Sequence, residues 1–208
     1  MTSSPALPTW SPWGREYARS GDHYVFGTGP SDFALEVAGL VRPGDRVLDL
    51  GSGEGRDAVF FAERGAVVTG VELSSAGIAK ARRLAWSRHA HVTWMEGTMT
   101  GPLPAGRFDL IFSCGSVHYV ARPARIELFR RLEEMTRPGG YQAHLAFTDR
   151  LIHEEKGEVV DYFSEGELRE TFGSWRRVVY GQYTIDCTQD GTIHRHAVEE
   201  LIAERPAA

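Results

Sequence analysis

Residues 46–58 read Arg46-Val47-Leu48-Asp49-Leu50-Gly51-Ser52-Gly53-Glu54-Gly55-Arg56-Asp57-Ala58, and this stretch decides the fold. Arg46–Leu50 is a short apolar run of strand type, interrupted by an acid and followed at once by three spaced glycines. A helix pattern then covers residues 56–64, with Gly65 where a helix-ending C′ residue belongs. A glycine turn between strand and helix lets the backbone approach a ligand, while the helix points N–H groups at it. The dinucleotide fingerprint spaces its glycines Gly-x-Gly-x-x-Gly. Here the spacing is Gly51-x-Gly53-x-Gly55, and Arg56 stands where that third glycine belongs.

The acids around the turn narrow the ligand class. A carboxylate such as Asp49 helps to hold a cation and repels a phosphate. Glu72 ends the next strand pattern, where a carboxylate can accept both hydroxyls of a ribose. A cationic nucleoside cofactor meets both conditions. A plain turn flanked by solvated acids is the alternative, and it explains a lone Gly-x-Gly better than this ordered series.

Outward from the turn, strands and helices alternate. Ser31 is an N-cap, and Phe33, Leu35, Val37, Ala38, Leu40 and Val41 follow at helical spacing until Pro43-Gly44. Residues 66–71 form a second strand, Ser74 caps a helix to about residue 86, and residues 91–95 and 108–113 are two further strands. A helix over 123–135 stops before Pro138-Gly139-Gly140, and residues 141–147 are the fifth strand. Such alternation requires crossovers and predicts an α/β fold, with a parallel sheet wound on both faces by helices. Ser164-Glu165-Gly166-Glu167 is a capping box that opens a short helix to about Phe172. Residues 175–186 and 192–202 flank Gln189-Asp190-Gly191 as an antiparallel hairpin, the last segment being partly helical as an alternative.

The chain has 208 residues, 42% hydrophobic and 25% charged, which suits a single globular domain over residues 31–208. Residues 1–30 are rich in proline, serine, glycine and aromatics with little periodicity, and read as an extension suited to a substrate lid. The formal charge of −5 and the scattered Lys and Arg provide no counterion-releasing face, so no nucleic acid is expected. No apolar run approaches the roughly 20 residues that span a bilayer, and the start lacks a signal-peptide pattern. A cytoplasmic location with no membrane partner is expected, as a monomer or homodimer. Cys114 and Cys187 read as two lone thiols, with a disulfide as the alternative.

With these motifs in place, the sequence resembles the class I S-adenosylmethionine-dependent methyltransferases. The best match is Val47 to Ala58. Phe108-Asp109-Leu110-Ile111-Phe112-Ser113 and the Arg137-Pro138-Gly139-Gly140-Tyr141 turn are also similar to that family. The resemblance implies a Rossmann-like, mostly parallel sheet of seven strands with a C-terminal antiparallel hairpin, and S-adenosyl-L-methionine as cofactor. It implies that Asp49, Gly51, Ser52, Gly53, Gly55 and Arg56 surround the methionine portion, while Glu72 and Leu73 meet the ribose. Many members carry an Asp after the third strand, whereas this chain has Thr98-Met99, implied to supply a backbone amide and an apolar wall. Cys114 follows the fourth strand, where the family places a backbone carbonyl near the cofactor's amino group.

The acceptor is addressed by Ser113-Cys114-Gly115-Ser116-Val117-His118-Tyr119. This stretch lacks the Asp/Asn-Pro-Pro-Tyr/Phe element of base-modifying amino-methyltransferases, and its small residues are expected to leave room for a small molecule. Within the family the closest look is to tellurite-resistance and thiopurine-type enzymes. It rests on the start of the helix at Arg56-Asp57-Ala58 and on Tyr162-Phe163-Ser164-Glu165 with Trp175 and the hairpin. That resemblance implies a thiol or another soft chalcogen as acceptor, although Ile185-Asp186 stands where some relatives carry His-Arg. A thiol of pKa about 8.5 needs little base, whereas a hydroxyl needs more. His118 is the candidate base, or else an ordinary histidine opening a helix, and Tyr119 is a second catalytic candidate or pocket wall. Trp10, Trp13, Tyr17, Tyr24 and Phe26 are suited to wall the acceptor pocket, with His23 among them, or to pack the extension onto the domain. His194 and His196 share a face of the last strand, but no acid or cysteine adjoins them in sequence, so no metal is expected.

Overall fold

Arg46–Leu50 forms strand β1, a central strand of a seven-stranded sheet in the computed structural model, which describes residues 12–153, 160–188 and 193–207. The other strands are β2 (Val67–Glu72), β3 (Val92–Glu96), β4 (Phe108–Cys114), β5 (Thr136–Phe147), β6 (Arg176–Cys187) and β7 (His194–Glu204). The helices are α1 (Pro12–Arg19), α2 (Asp32–Val37), α3 (Arg56–Glu63), α4 (Ser75–Ser87), α5 (Arg122–Met135) and α6 (Glu167–Thr171). Strand order is β3-β2-β1-β4-β5-β7-β6. Pairing is parallel from β3 through β5, and β7 inserts antiparallel between β5 and β6. This is the mostly parallel, Rossmann-like sheet with a C-terminal hairpin that the motifs imply. The expected hairpin turn at Gln189-Asp190-Gly191 lies outside the described residues, and β7 is strand throughout.

Period-two alternation along β1 distributes its side chains between two cores. Val47 joins Phe33, Val37, Phe61, Phe112 and Ile202 on the face covered by α2 and α3. Leu48 and Leu50 join Phe108, Leu128, Leu132 and Phe163 on the face covered by α5. Asp49 shares Val47's parity and therefore points toward α3, where Asp57 and Ala58 begin the helix. Ser31 caps α2 as expected, accepting from the Ala34 amide at 3.0 Å.

Three expectations are corrected. The extension is not aperiodic throughout, because residues 12–19 form helix α1, amphipathic with Tyr17 buried. Trp10 lies outside the described residues. The expected turn at residues 137–141 is a bulge within β5. Phe108 pairs with Thr136 and Leu110 with Tyr141, so the register slips across Pro138-Gly139-Gly140. Backbone bonds from the Gly139 amide to the Arg205 carbonyl and from the Arg205 amide to the Gly140 carbonyl, at 3.0 and 2.8 Å, secure that bulge. The expected capping box is half formed: Glu167 accepts from the Ser164 amide at 2.9 Å, but Gly166 is the residue that opens α6.

Cys114 and Cys187 do not form a disulfide. Among the described residues no helix is long and apolar enough to cross a membrane. Phe112 is fully buried, stacked on Phe33 at 5.4 Å and met edge-on by Phe61 at 5.2 Å. Phe112→Ala is expected to cost about 3–5 kcal/mol. The measurement is a lower urea midpoint with an unchanged m-value.

Candidate active site

The glycine turn is shaped by contacts that exclude side chains. Gly51 takes φ 71°, and a Cβ there would stand 2.4 Å from the Ser116 Cβ. Gly53 takes φ 54°, and its Cβ would meet the Tyr17 hydroxyl at 2.8 Å. The amides of Gly51 and Ser52 both donate to the Val71 carbonyl, at 2.8 and 3.1 Å, which fastens the turn to the end of β2. Ser116 donates to the Leu50 carbonyl at 2.6 Å. The small residues after β4, expected to leave room for an acceptor, therefore let two turns touch.

Glu72 organises the floor of the site. Its carboxylate accepts from the Gly53 amide at 2.9 Å and the Ser74 amide at 2.7 Å, joining the glycine turn to the start of α4. Burial raises its pKa, against the amides of Ser74, Gly53 and Leu73, which lower it. Asp49 is buried too, and its pKa is pushed well up by burial and by the nearby Asp57 and Glu72. Its Oδ2 and the Ser52 Oγ are buried polar atoms with no protein partner.

An aromatic roof covers this floor. Tyr17 lies on Gly53 and Gly77, and Trp13 packs on Phe26 at 4.9 Å and donates to the Tyr119 hydroxyl at 2.6 Å. The roof is held by an ion pair closed off from water. Lys80 on α4 donates to Glu54 at 2.6 Å, to Ser20 at 2.6 Å and to the His23 carbonyl at 2.5 Å. The second Glu54 oxygen accepts from the Val25 amide at 2.7 Å, and Tyr24 donates to the Lys80 carbonyl at 3.0 Å. Reading the sequence missed Glu54 and Lys80. Glu54 lies between two glycines of the turn, and nothing local pairs it with a lysine 26 residues on.

Several candidate residues stand elsewhere than expected. The Arg56 guanidinium leaves the turn for the roof, donating to the Phe26 carbonyl at 3.2 Å and lying over its ring. Tyr24 anchors the roof through its hydroxyl, and His23 is exposed, its backbone carbonyl accepting from Lys80. Met99 does reach the glycine turn, where a Gly51 Cβ would meet its methyl at 3.3 Å. Thr98 turns to Thr100 at 3.2 Å. The Cys114 thiol is held protonated, burial pushing it up to about 12.

His118 departs from a pocket-facing base. It is fully buried, stacked on Phe147 at 4.2 Å, and its Nδ1 accepts from the Phe147 amide at 3.3 Å. Burial, then His196 and Arg125, lower its pKa well below the usual histidine range, so it stays neutral at pH 7. The expectation that no third donor joins His194 and His196 is also corrected. Cys187 pairs with His194 across β6 and β7, and the donor atoms of Cys187, His194 and His196 lie within 4.8 Å of one another.

Residues 47–140 match the family model described as a methyltransferase domain. The 27-O-demethylrifamycin SV methyltransferase of Amycolatopsis mediterranei is 32% identical over 122 residues, which are 56% of this chain and 43% of that one. The malonyl-[acyl-carrier protein] O-methyltransferase of Pseudescherichia vulneris is 30% identical over 169 residues, 75% of this chain and 62% of its own. The chain spans about half the length of the curated relatives it matches. The crystal structure of TehB from Haemophilus influenzae superposes with a TM-score of 0.76 at 18% identity, over 93% of this chain and 67% of that one. At that identity the likeness is one of fold.

Lys80→Met strands the Glu54 carboxylate in the interior and is expected to cost about 3–5 kcal/mol. Lys80→Met combined with Glu54→Gln removes both charges and is expected to be the milder change. Urea unfolding of the single and double variants checks the order.

Proposed function

We propose that this chain, which carries a class I methyltransferase domain over residues 47–140, binds S-adenosyl-L-methionine at the glycine turn and methylates a small acceptor. The favoured acceptor is a thiol or another soft chalcogen nucleophile.

The turn's own atoms support the cofactor. A bound Met-type ammonium is a partner suited to the orphaned Asp49 Oδ2, and Ser52 Oγ is a second buried polar atom at the same place. Glu72 uses both oxygens on backbone amides, and a carboxylate with about four lone-pair sites can still accept ribose hydroxyls. Met99 offers an apolar face beside Gly51. S-adenosylmethionine supplies, when bound, an electrophilic methyl on a sulfonium. Around it the chain provides alignment and water exclusion, the main sources of rate in such a displacement. Tyr17 rests on Gly53, so residues 12–30 act as a lid that lifts to admit ligands.

One observation carries the acceptor class: the histidine expected as the base is a poor one. His118 is buried, neutral and already accepting a backbone amide, and the Tyr119 oxygen accepts from Trp13. An acceptor that ionises by itself fits these surroundings better than an alcohol that must be deprotonated. Oxygen is the second reading, favoured by the names of the two O-methyltransferase relatives. A carboxylate is already ionised at neutral pH and meets the same condition.

Two measurements test this. Gly53→Arg fills the turn and is expected to abolish S-adenosylhomocysteine binding in calorimetry, and unchanged binding means the site is misplaced. Methyl transfer is then followed by mass spectrometry on matched thiol and hydroxyl acceptors, with carboxylates, selenite and tellurite included. Thiols are expected to react, with a rate that climbs toward the acceptor's own pKa of about 8.5. Reaction of hydroxyls alone, with a rate governed by an enzyme group near pH 6.5, overturns the soft-nucleophile reading.

A further inference from the structure

At the open end of the C-terminal hairpin, three soft or borderline donors converge that methyl transfer does not use. Cys187 ends β6 and stands directly opposite His194, the first residue of β7, while His196 lies two residues further on the same face. The two Nε2 atoms face each other at 2.9 Å, with the ring planes at 86°. One ring donates to the other there, so two imidazole lone-pair directions are aimed at a single bridging proton. His194 is backed by His153, stacked at 3.7 Å and nearly parallel, and His196 is backed by Phe147 at 4.1 Å. His196 is fully enclosed, whereas Cys187 and His194 are half-buried and reachable from solvent.

We propose that Cys187, His194 and His196 form a binding site for one zinc-type divalent cation, which replaces the proton shared by the two imidazoles. A thiolate with two imidazoles is a zinc donor set, and three protein ligands leave a fourth position for water. The geometry needs small adjustments. Two imidazole nitrogens on a tetrahedral zinc, with bonds of about 2.05 Å, stand about 3.3 Å apart. The observed 2.9 Å requires the rings to part by a few tenths of an ångström. The Cys187 sulfur, within 4.8 Å of both nitrogens, closes in by about 1 Å, which rotation of a half-buried side chain supplies. Binding releases the thiol proton to solvent, while the proton between the imidazoles moves to the Nδ1 of the ring that carried it, so affinity rises with pH through the thiol.

The position gives the site a consequence. Stacked rings run from His196 through Phe147 to His118, so the cation sits at one end of an aromatic row whose other end adjoins Tyr119 and the roof. It also ties the last residue of β6 to the first residues of β7 across residues 188–193. Nothing in this proposal depends on the methyl-transfer reading.

Cobalt(II) is the probe, titrated into metal-stripped full-length protein. One equivalent is expected to bind, with tetrahedral d–d absorption and a sulfur-to-cobalt charge-transfer band that zinc abolishes by displacement. Cys187→Ser is expected to lose the charge-transfer band, while Cys114→Ser retains it. His194→Gln is expected to weaken binding by more than the roughly 10–100-fold that losing an outer-shell partner costs. Zinc is expected to raise the melting temperature of the unsubstituted protein and not that of Cys187→Ser. Because Cys187 and His194 are half-buried, both variants are expected to melt like the parent without metal. Absence of saturable binding overturns the proposal. So does cobalt bound without sulfur charge transfer, or a band that survives in Cys187→Ser.

Discussion

Glu54 and Lys80 lie almost wholly out of water with 2.6 Å between their charged atoms, and the layout of the site depends on them. Burying either ion alone costs several kcal/mol, and attraction compensates only where the remaining polar valences are filled. Here they are filled by the segment that must be held: Ser20, the His23 carbonyl and the Val25 amide. The pair therefore couples three pieces of chain, the glycine turn, helix α4 and the extension after α1. Beside it, the aromatic roof is held by the Trp13–Tyr119, Tyr24–Lys80 carbonyl and Arg56–Phe26 contacts and by its packing.

Beneath that roof, carboxylates are concentrated in little water. Asp49, Asp57 and Glu72 all have pKa values raised by burial. Asp57 is spoken for by the Ser31 amide and hydroxyl, at 2.7 and 3.0 Å, and so secures α2 to α3. Glu72 is committed to two amides. Asp49 keeps an orphaned oxygen, and an interior tolerates such an atom where a ligand completes it. The site thus separates acids committed to the scaffold from one that keeps an unpartnered oxygen. His118 keeps a comparable orphan in its Nε2, on a ring that stacking and burial hold neutral.

The legible parts were those whose cause is local. Glycine spacing after an apolar strand, the Ser31 cap and the alternation of strand and helix patterns each depend on neighbours within a few residues. The bulge in β5 was not legible, because it exists through Arg205 pairing with Gly139 and Gly140 from the other end of the chain. Helix α1 was obscured for a similar reason. Its eight residues carry a proline and four bulky aromatic or arginine side chains that favour helix only when Trp13 and Tyr17 have a surface to cover.

What the sequence by itself determined is the doubly wound sheet, the hairpin at its end and the glycine turn between β1 and α3, since hydrophobic period and glycine placement are chain-local properties. Only the tertiary structure decided which polar groups are partners. It set Glu54 on Lys80, turned Arg56 away from the turn, suppressed the basicity of His118, and brought Cys187 to His194 and His196. The physical reason is common to all four. Charge state and partnership depend on burial and on distances of a few ångströms, and cross-strand register and helix packing create those between residues far apart in the chain.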